Sequence, residues 1–267
     1  MAGGTSFYFA YALSHLPKRV SFKLITKAGE DAGPEIDRMK AAGIDVICHK
    51  SRRTVCFENK YGGDSNRRTQ RVRDKADAFT VEELRDVQAE VYHLGSLLAD
   101  DFPPELVSHL ATKGRVSIDV QGYLREVSGQ EVRAIDWHGK REILQLTDIL
   151  KLNEHEMEVI TGLKEPRAVA KKLAGYGVRE VVITLGSYGS MIYADGEFHD
   201  IPAYPPTDVV DATGCGDTYS AGYLYCRAQG MSCLEAGKYA AAMCTLKLEH
   251  SGPFDRSAEE VAQVIGR

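Results

Sequence analysis

Apolar positions along the chain come in two kinds of stretch that alternate. Residues 20–26, 46–48, 91–94, 116–120, 149–152 and 181–185 are short runs rich in Val, Ile and Leu, and they predict strands. Residues 35–42, 81–88, 104–112, 154–161 and 166–176 carry helical spacing between them. Residues 7–13, 218–228, 234–248 and 255–267 predict further helices. Strands that are apolar on both faces, each followed by a helix, predict a parallel sheet covered on both sides. Ligands of such a sheet bind beyond the carboxyl ends of its strands.

One stretch breaks this rhythm. Residues 54–60 and 67–73 alternate around Gly62, Gly63 and Asp64 and are too polar for a central sheet. They predict a small β-lid, inserted at about residues 51–75 in a single domain that runs over residues 1–267. Six arginines crowd this lid: Arg52, Arg53, Arg67, Arg68, Arg71 and Arg73. They are either the solvated face of a polar hairpin or a surface for an anionic or highly hydroxylated substrate, with Arg71 first among them.

Composition narrows the class. The chain has 267 residues, 43% hydrophobic and 27% charged, with a net charge of −5. That balance suits a globular protein and argues against a nucleic-acid partner. No apolar run reaches the length of a membrane span, so no membrane partner is expected. The six cysteines form no C-x-x-C pair, and residues 7–13 lack the basic flank of a secretory signal. Reduced thiols in a cytoplasmic protein are expected.

The most informative segment is D-A-T-G-C-G-D at residues 211–217. It follows a loop with Pro202, Pro205 and Pro206 and runs straight into a helix. Two glycines flanking a small residue let the backbone bend so that its amides converge. The helix start adds unpaired N–H groups and the positive end of its dipole. Gly214, Cys215 and Gly216 thus predict an anion hole for phosphate. A carboxylate beside a phosphate cradle repels the ligand unless it has a task. For Asp217 that task is to take the proton from a hydroxyl that attacks phosphorus. The alternative is an Asp-rich turn that caps a helix. Cys215 reads as a small residue rather than a reactive thiol.

D-A-T-G-C-G-D-T-Y-S-A-G resembles the C-terminal signature of the ribokinase-like (PfkB) carbohydrate kinases. The resemblance implies an α/β fold, a three-layer α/β/α ribokinase-like sandwich with a mostly parallel sheet and a small β-lid. It implies ATP-dependent phosphotransfer to a hydroxyl of a small sugar or polyol, with Asp217 as the base. Asp211 is implied beside the ATP and near a monovalent cation. A homodimer through the lid is also implied.

Other segments extend the likeness. Asn153 and Glu156 follow a strand, three residues apart. They are either a cap and its answering carboxylate or holders of hydrated Mg²⁺, as the family's N-x-x-E motif implies. Thr184, Gly186 and Gly189 form either a plain hairpin turn or, by resemblance, a surface for the nucleotide. Ala241 stands where the family often has an Asn near the adenine. D-V-Q-G-Y-L-R at residues 119–125 is similar to the family's D-x-N-x-R. It implies Gln121 and Arg125 at the substrate, whereas a surface Arg125 paired with Glu126 is the plain alternative. G-G-T-S-F-Y at residues 3–8 resembles the N-terminal signature and implies Gly3, Gly4 and Ser6 beside the sugar. Tyr8 replaces the Asn usual there, which argues against a standard ribose or fructose pocket. Family members carry a first strand ahead of the glycine pair, so a sheet without it and a partial sugar site are expected. V-C-F-E-N, D-V-Q-G-Y-L-R and E-H-S-G are similar to segments of plant myo-inositol kinases. A nucleoside kinase, a hydroxymethylpyrimidine or pyridoxal kinase, and a non-catalytic sugar or nucleotide binder are the competing readings.

Overall fold

The computed structural model describes residues 2–61 and 68–266. Gly62, Gly63, Asp64 and Arg67 of the lid lie outside them. In chain order the elements are α1 (Thr5–Ser14), β1 (Leu24–Ala28), α2 (Gly33–Ala41), β2 (Val46–Lys50), β3 (Cys56–Tyr61), β4 (Arg68–Asp74), α3 (Val81–Leu84) and β5 (Val91–Gly95). Then come α4 (Pro104–Ala111), β6 (Arg115–Asp119), β7 (Arg125–Ser128), β8 (Glu131–Ala134), α5 (Lys140–Leu144), β9 (Ile149–Asn153), α6 (Glu154–Thr161) and α7 (Pro166–Ala174). The chain ends with β10 (Glu180–Thr184), β11 (Ser190–Ala194), β12 (Glu197–Ile201), α8 (Cys215–Ala228), α9 (Cys233–Leu248) and α10 (Ala258–Ile265).

A six-stranded sheet of order β12-β11-β10-β9-β6-β5 forms the centre. Its strands β5, β6, β9 and β10 are parallel, and β11 and β12 close one edge as antiparallel neighbours. Strand residues alternate between two cores, as the pleat requires. Leu150, Leu152, Val181 and Ile183 pack on one side with residues of α4, α6 and α7. Ile149, Val182 and Ile192 pack on the other with residues of α1, α8 and α9. These three layers are the α/β/α sandwich. Each fully buried Leu or Ile contributes about 1.5–3 kcal/mol. Strands β1 and β2 pair in parallel as a separate two-stranded sheet, and a cleft of about 1090 Å³ lies between β1 and β5. No helix among the described residues is long and apolar enough to cross a membrane.

Three elements depart from the sequence expectations. The helix expected over residues 81–88 is a single turn, α3, opened by a Thr80–Glu83 capping box. The strand expected from residue 20 begins at Leu24. The lid has four strands, in the order β3-β4-β8-β7, rather than one hairpin. Residues 125–134 supply the second hairpin, because Glu126, Val127 and Ser128 pair with Arg133, Val132 and Glu131.

Candidate active site

Two carboxyl ends of the central sheet start the site. Asp119 closes β6, and the register sets it beside Lys151 of β9. The neighbouring residues Ile118, Leu150 and Leu152 belong to the opposite core, so alternation turns Asp119 and Lys151 toward α8. Their side chains meet at 2.6 Å, each 9% exposed. Burial opposes ionising Asp119, but the Lys151 charge and hydrogen bond outweigh it and hold its carboxyl below the usual value. Burial likewise opposes the Lys151 ammonium, and the Asp119, Glu156 and Asp217 carboxylates reverse that and raise it. His93 of β5 accompanies the pair, with Nδ1 3.1 Å from Ser117 Oγ, and burial drives its pKa down to about 4.

The Gly-rich loop crosses above this pair. Gly214 takes φ 81, the left-handed conformation, and caps α8. A Cβ on Gly214 would lie 2.2 Å from the Tyr8 ring, so only glycine fits. The Lys151 ammonium lies 3.2 Å from the position a Cβ would take on Gly216, which places a buried positive charge under the loop. The Cys215 amide donates back to the Ala212 carbonyl at 3.2 Å. The Gly216 and Asp217 amides of the first helical turn remain as the donors with no helical carbonyl to meet. Burial raises the Cys215 thiol to about 11, in line with a small inert residue. Cys244 Sγ donates to the Cys215 carbonyl at 3.2 Å.

Asp217 sits in the first turn of α8. Burial, followed by the Asp119 charge, raises its carboxyl to about 6, against Lys151, a Thr5 hydrogen bond and Arg125. A carboxylate with such a pKa is ionised at neutral pH and more basic than an ordinary one. Thr5 opens α1, and its donor to Asp217 brings the Gly3–Gly4 pair to the edge of the site. Tyr8 is buried against Gly214, and burial, then Asp211 and Asp217, raise its phenol. Ser6 faces the other way and shares a 3.1 Å hydrogen bond with Thr26, tying α1 to β1.

Asn153 and Glu156 form a full capping box at the start of α6. Asn153 Oδ1 accepts from the His155 and Glu156 amides, and Glu156 Oε2 accepts from the Asn153 amide at 2.9 Å. Capping therefore takes the Asn153 oxygen. Burial and Asp119 raise the Glu156 carboxyl, against Lys151, so its charge is one that a cation would stabilise. The Gln121 backbone N–H donates to Asp119 Oδ1 at 3.3 Å. Arg125 donates to the Leu97 carbonyl at 3.4 Å and stacks 5.5 Å over the Phe57 ring, joining the lid to the site. Its charge acts on both Asp217 and Glu156.

Other expected residues lie elsewhere. Arg71 is in register with Glu58 of β3 and Glu131 of β8, on the lid face opposite Phe57 and Val72. Phe57, on the other face, is a lid residue that meets Arg125. Arg52 pairs with Asp77, Arg53 with Asp74 and Arg73 with Glu58, so these arginines follow the polar-hairpin reading. Ala241 is only 9% exposed, and Ala240, Ala242 and Met243 are fully buried. The alanine run packs α9 against α8: a Cβ on Gly222 would lie 2.6 Å from Met243 Sδ and 3.2 Å from Ala240 Cα. That close approach accounts for the small residue at Ala240. Thr184 ends β10, and Gly186 and Gly189 turn the chain into β11 with φ 57 and 90. Tyr188 in that turn is 88% exposed. Asp211 accepts from the Thr213 amide at 2.9 Å and lies 3.8 Å from the buried Lys247 ammonium.

Thr5 and Asp119 stand in motifs that the sequence offers but have no role assigned there, and Lys151 is the site residue that sequence reasoning does not single out. A signal existed for Lys151, a lone charge inside the apolar run Ile149–Leu152 just ahead of Asn153.

Known proteins are similar to this chain in sequence and fold. The chain is 35% identical over 144 residues to the cytidine kinase of Thermococcus kodakarensis, covering 52% of this chain and 48% of that one. It thus spans about half the length, or less, of the curated relatives it matches. A pyrophosphate-dependent kinase in the ribokinase family, solved as a sulfate complex, superposes with a TM-score of 0.88 at 28% identity, over 99% of this chain and 92% of that one. A pyrophosphate-dependent kinase in the same family, complexed with a pyrophosphate analog and myo-inositol, gives 0.86 at 27% identity, over 98% and 91%. Residues 2–259 match the pfkB family of carbohydrate kinases, and the chain belongs to that family.

Proposed function

We propose that the chain transfers a phosphoryl group from ATP to a hydroxyl of a small polyol or sugar, with Asp217 as general base. One observation carries this reading: a carboxyl raised to about 6 stands in the first turn of α8, beside the amides of a glycine-rich loop. Asp217 takes the proton of the acceptor hydroxyl as that oxygen attacks the terminal phosphorus. The Gly216 and Asp217 amides, with the Lys151 ammonium beneath them, stabilise charge on the transferred group. Arg125 helps to offset the carboxylates and orients the acceptor under the lid. Glu156 would hold Mg²⁺ largely through water, with Asn153 fixing the turn that carries it. Bound there, the metal would neutralise the donor phosphates. Thr184, Gly186 and Gly189 border the donor, and the lid, paired with that of a second subunit, excludes water.

The resemblance to pyrophosphate-dependent kinases, one of them bound to myo-inositol, favours a second reading of the donor. The buried alanine run of α9 offers little surface to a base, which suits pyrophosphate as well as ATP. Coupled turnover with ATP and with pyrophosphate, against myo-inositol, simple sugars and nucleosides including cytidine, tests both. Turnover of a polyol with ATP supports the first reading. Turnover with pyrophosphate alone replaces the donor, and turnover of a nucleoside alone replaces the acceptor class.

A further inference from the structure

The loop that ends in the anion hole is tethered at its start by a second buried lysine. Lys247 lies in the last turn of α9 and is 0% exposed. Its ammonium donates to the Asp211 carbonyl at 3.0 Å and to the His250 carbonyl at 3.2 Å. The Asp211 carboxylate stands 3.8 Å away. Burial pushes that carboxyl upward, but hydrogen bonds from Thr213, the Lys247 charge and the Gly252 backbone outweigh burial and leave it below its ordinary value. The Val210 and Asp211 amides both donate to the Leu248 carbonyl, at 2.8 and 3.2 Å. The loop and the end of α9 therefore meet around one positive charge.

Two carbonyl oxygens and a carboxylate gathered at one point form the donor set that a monovalent cation would take. Here an ammonium holds those oxygens, with three donors on a compact charge and a stem fixed by burial. A further cation at the same oxygens would meet that charge at contact distance, so the set does not fit the monovalent cation that the family resemblance implies near Asp211.

We propose that Lys247 is a positioning residue whose ammonium serves as the built-in cation of the Asp211–Gly216 loop, so that phosphotransfer proceeds without K⁺ or Na⁺. The proposal rests on the kinase reading above, but one of its tests does not. Turnover of the intact chain is measured in tetramethylammonium salt and again after exchange into K⁺ at equal ionic strength. The two rates should agree within about twofold, whereas a protein that needs a cation to order this loop should gain about tenfold or more in K⁺. Lys247→Met keeps the stem and removes the charge. Its rate in tetramethylammonium salt should fall about tenfold to a hundredfold and recover in K⁺ or NH₄⁺.

Thermal unfolding reads the same point without turnover. K⁺ should raise the melting temperature of Lys247→Met above its value in tetramethylammonium salt and leave that of the unaltered chain unchanged. A K⁺-dependent rate or melting temperature in the unaltered chain would overturn the proposal, as would a Lys247→Met variant fully active without K⁺. If Lys247→Met does not fold, the salt comparison on the unaltered chain still decides. If no acceptor is phosphorylated, the kinase reading fails while the melting comparison stands.

Discussion

Two buried lysines flank the glycine-rich loop, and their surroundings differ in charge. Lys151 faces Asp119 at 2.6 Å and also feels Glu156 and Asp217, so one ammonium answers three carboxyls. Lys247 faces two neutral carbonyls and one carboxylate, so its charge is matched one to one. On the first flank, burial, with the Asp119 charge adding to it, raises both Asp217 and Glu156. On the second flank Asp211 is lowered. Buried charge that is left over marks where further positive charge must arrive. On the proposed reading, a divalent ion and Arg125 answer the Lys151 flank and catalysis belongs there, while the balanced Lys247 flank serves the loop architecture.

The largest expected effect breaks the unbalanced side at its base. Asp217→Asn should cut kcat by about 10²–10⁴-fold, the usual worth of a positioned general base, with little change in KM for the donor. The same variant should be the more stable one. Asp217 has a folded pKa of about 6 against an ordinary 3.8, so holding it ionised above pH 6 costs stability. That cost is on the order of 2–3 kcal/mol, equivalent to roughly 5 °C in Tm for a chain of this size. The gain from Asn should vanish as pH falls below the ordinary carboxylate value, where Asp217 is protonated in both states. A variant that loses activity and Tm together would instead mean that Asp217 holds the fold.

Next in size is Lys151→Met. It removes the charge beneath Gly216 and leaves Asp119 buried without a partner, so about 3–5 kcal/mol of stability and most turnover should go. The double variant Asp119→Asn with Lys151→Met removes both charges. It should recover most of the stability and none of the turnover. Denaturant melts of the two variants separate the structural share of the ion pair from its catalytic share.

A gentler probe leaves the chain unaltered. The rate kcat/KM should fall tenfold per pH unit below about pH 6, the value to which Asp217 is raised. The sign follows from the base having to be ionised. A limb near the ordinary carboxylate value would mean that in the free enzyme Lys151 and Arg125 offset burial and Asp119 at Asp217.

The two flanks also differed in how far they could be read from the chain. The loop was legible because its chemistry is local: glycines, a helix start and an Asp within seven residues define backbone geometry by themselves. The layered sheet was legible from its apolar runs. Lys151 was not singled out, because its partner Asp119 comes from another strand and only the β6–β9 register unites them. Lys247 looked like one more polar residue near a helix end, since nothing in sequence spacing predicts that Asp211 and His250 carbonyls converge on it. The second lid hairpin begins only at the last residue of the segment matched to a family motif, Asp119–Arg125, and its pairing with the first hairpin is not visible in sequence. The close packing of Ala240 against Gly222 likewise depends on how α8 and α9 meet, which sequence spacing does not show.

The smallest expected effect concerns the donor. Tyr188 is 88% exposed in the turn formed by Thr184–Gly189, and it makes the largest apolar face there. If ATP is the donor, its base can stack on that ring, and Tyr188→Ala should raise KM for ATP by about five- to tenfold with kcat little changed. That corresponds to the roughly 1 kcal/mol of an exposed aromatic contact. Pyrophosphate carries no base, so its KM should be the same in both proteins. Steady-state kinetics with each donor therefore distinguishes a nucleotide surface from a bare turn. Equal KM values for ATP in the two proteins would remove Tyr188 from the donor site and leave the phosphate groups, held by the Gly216 and Asp217 amides, as the part of the donor that this chain recognises.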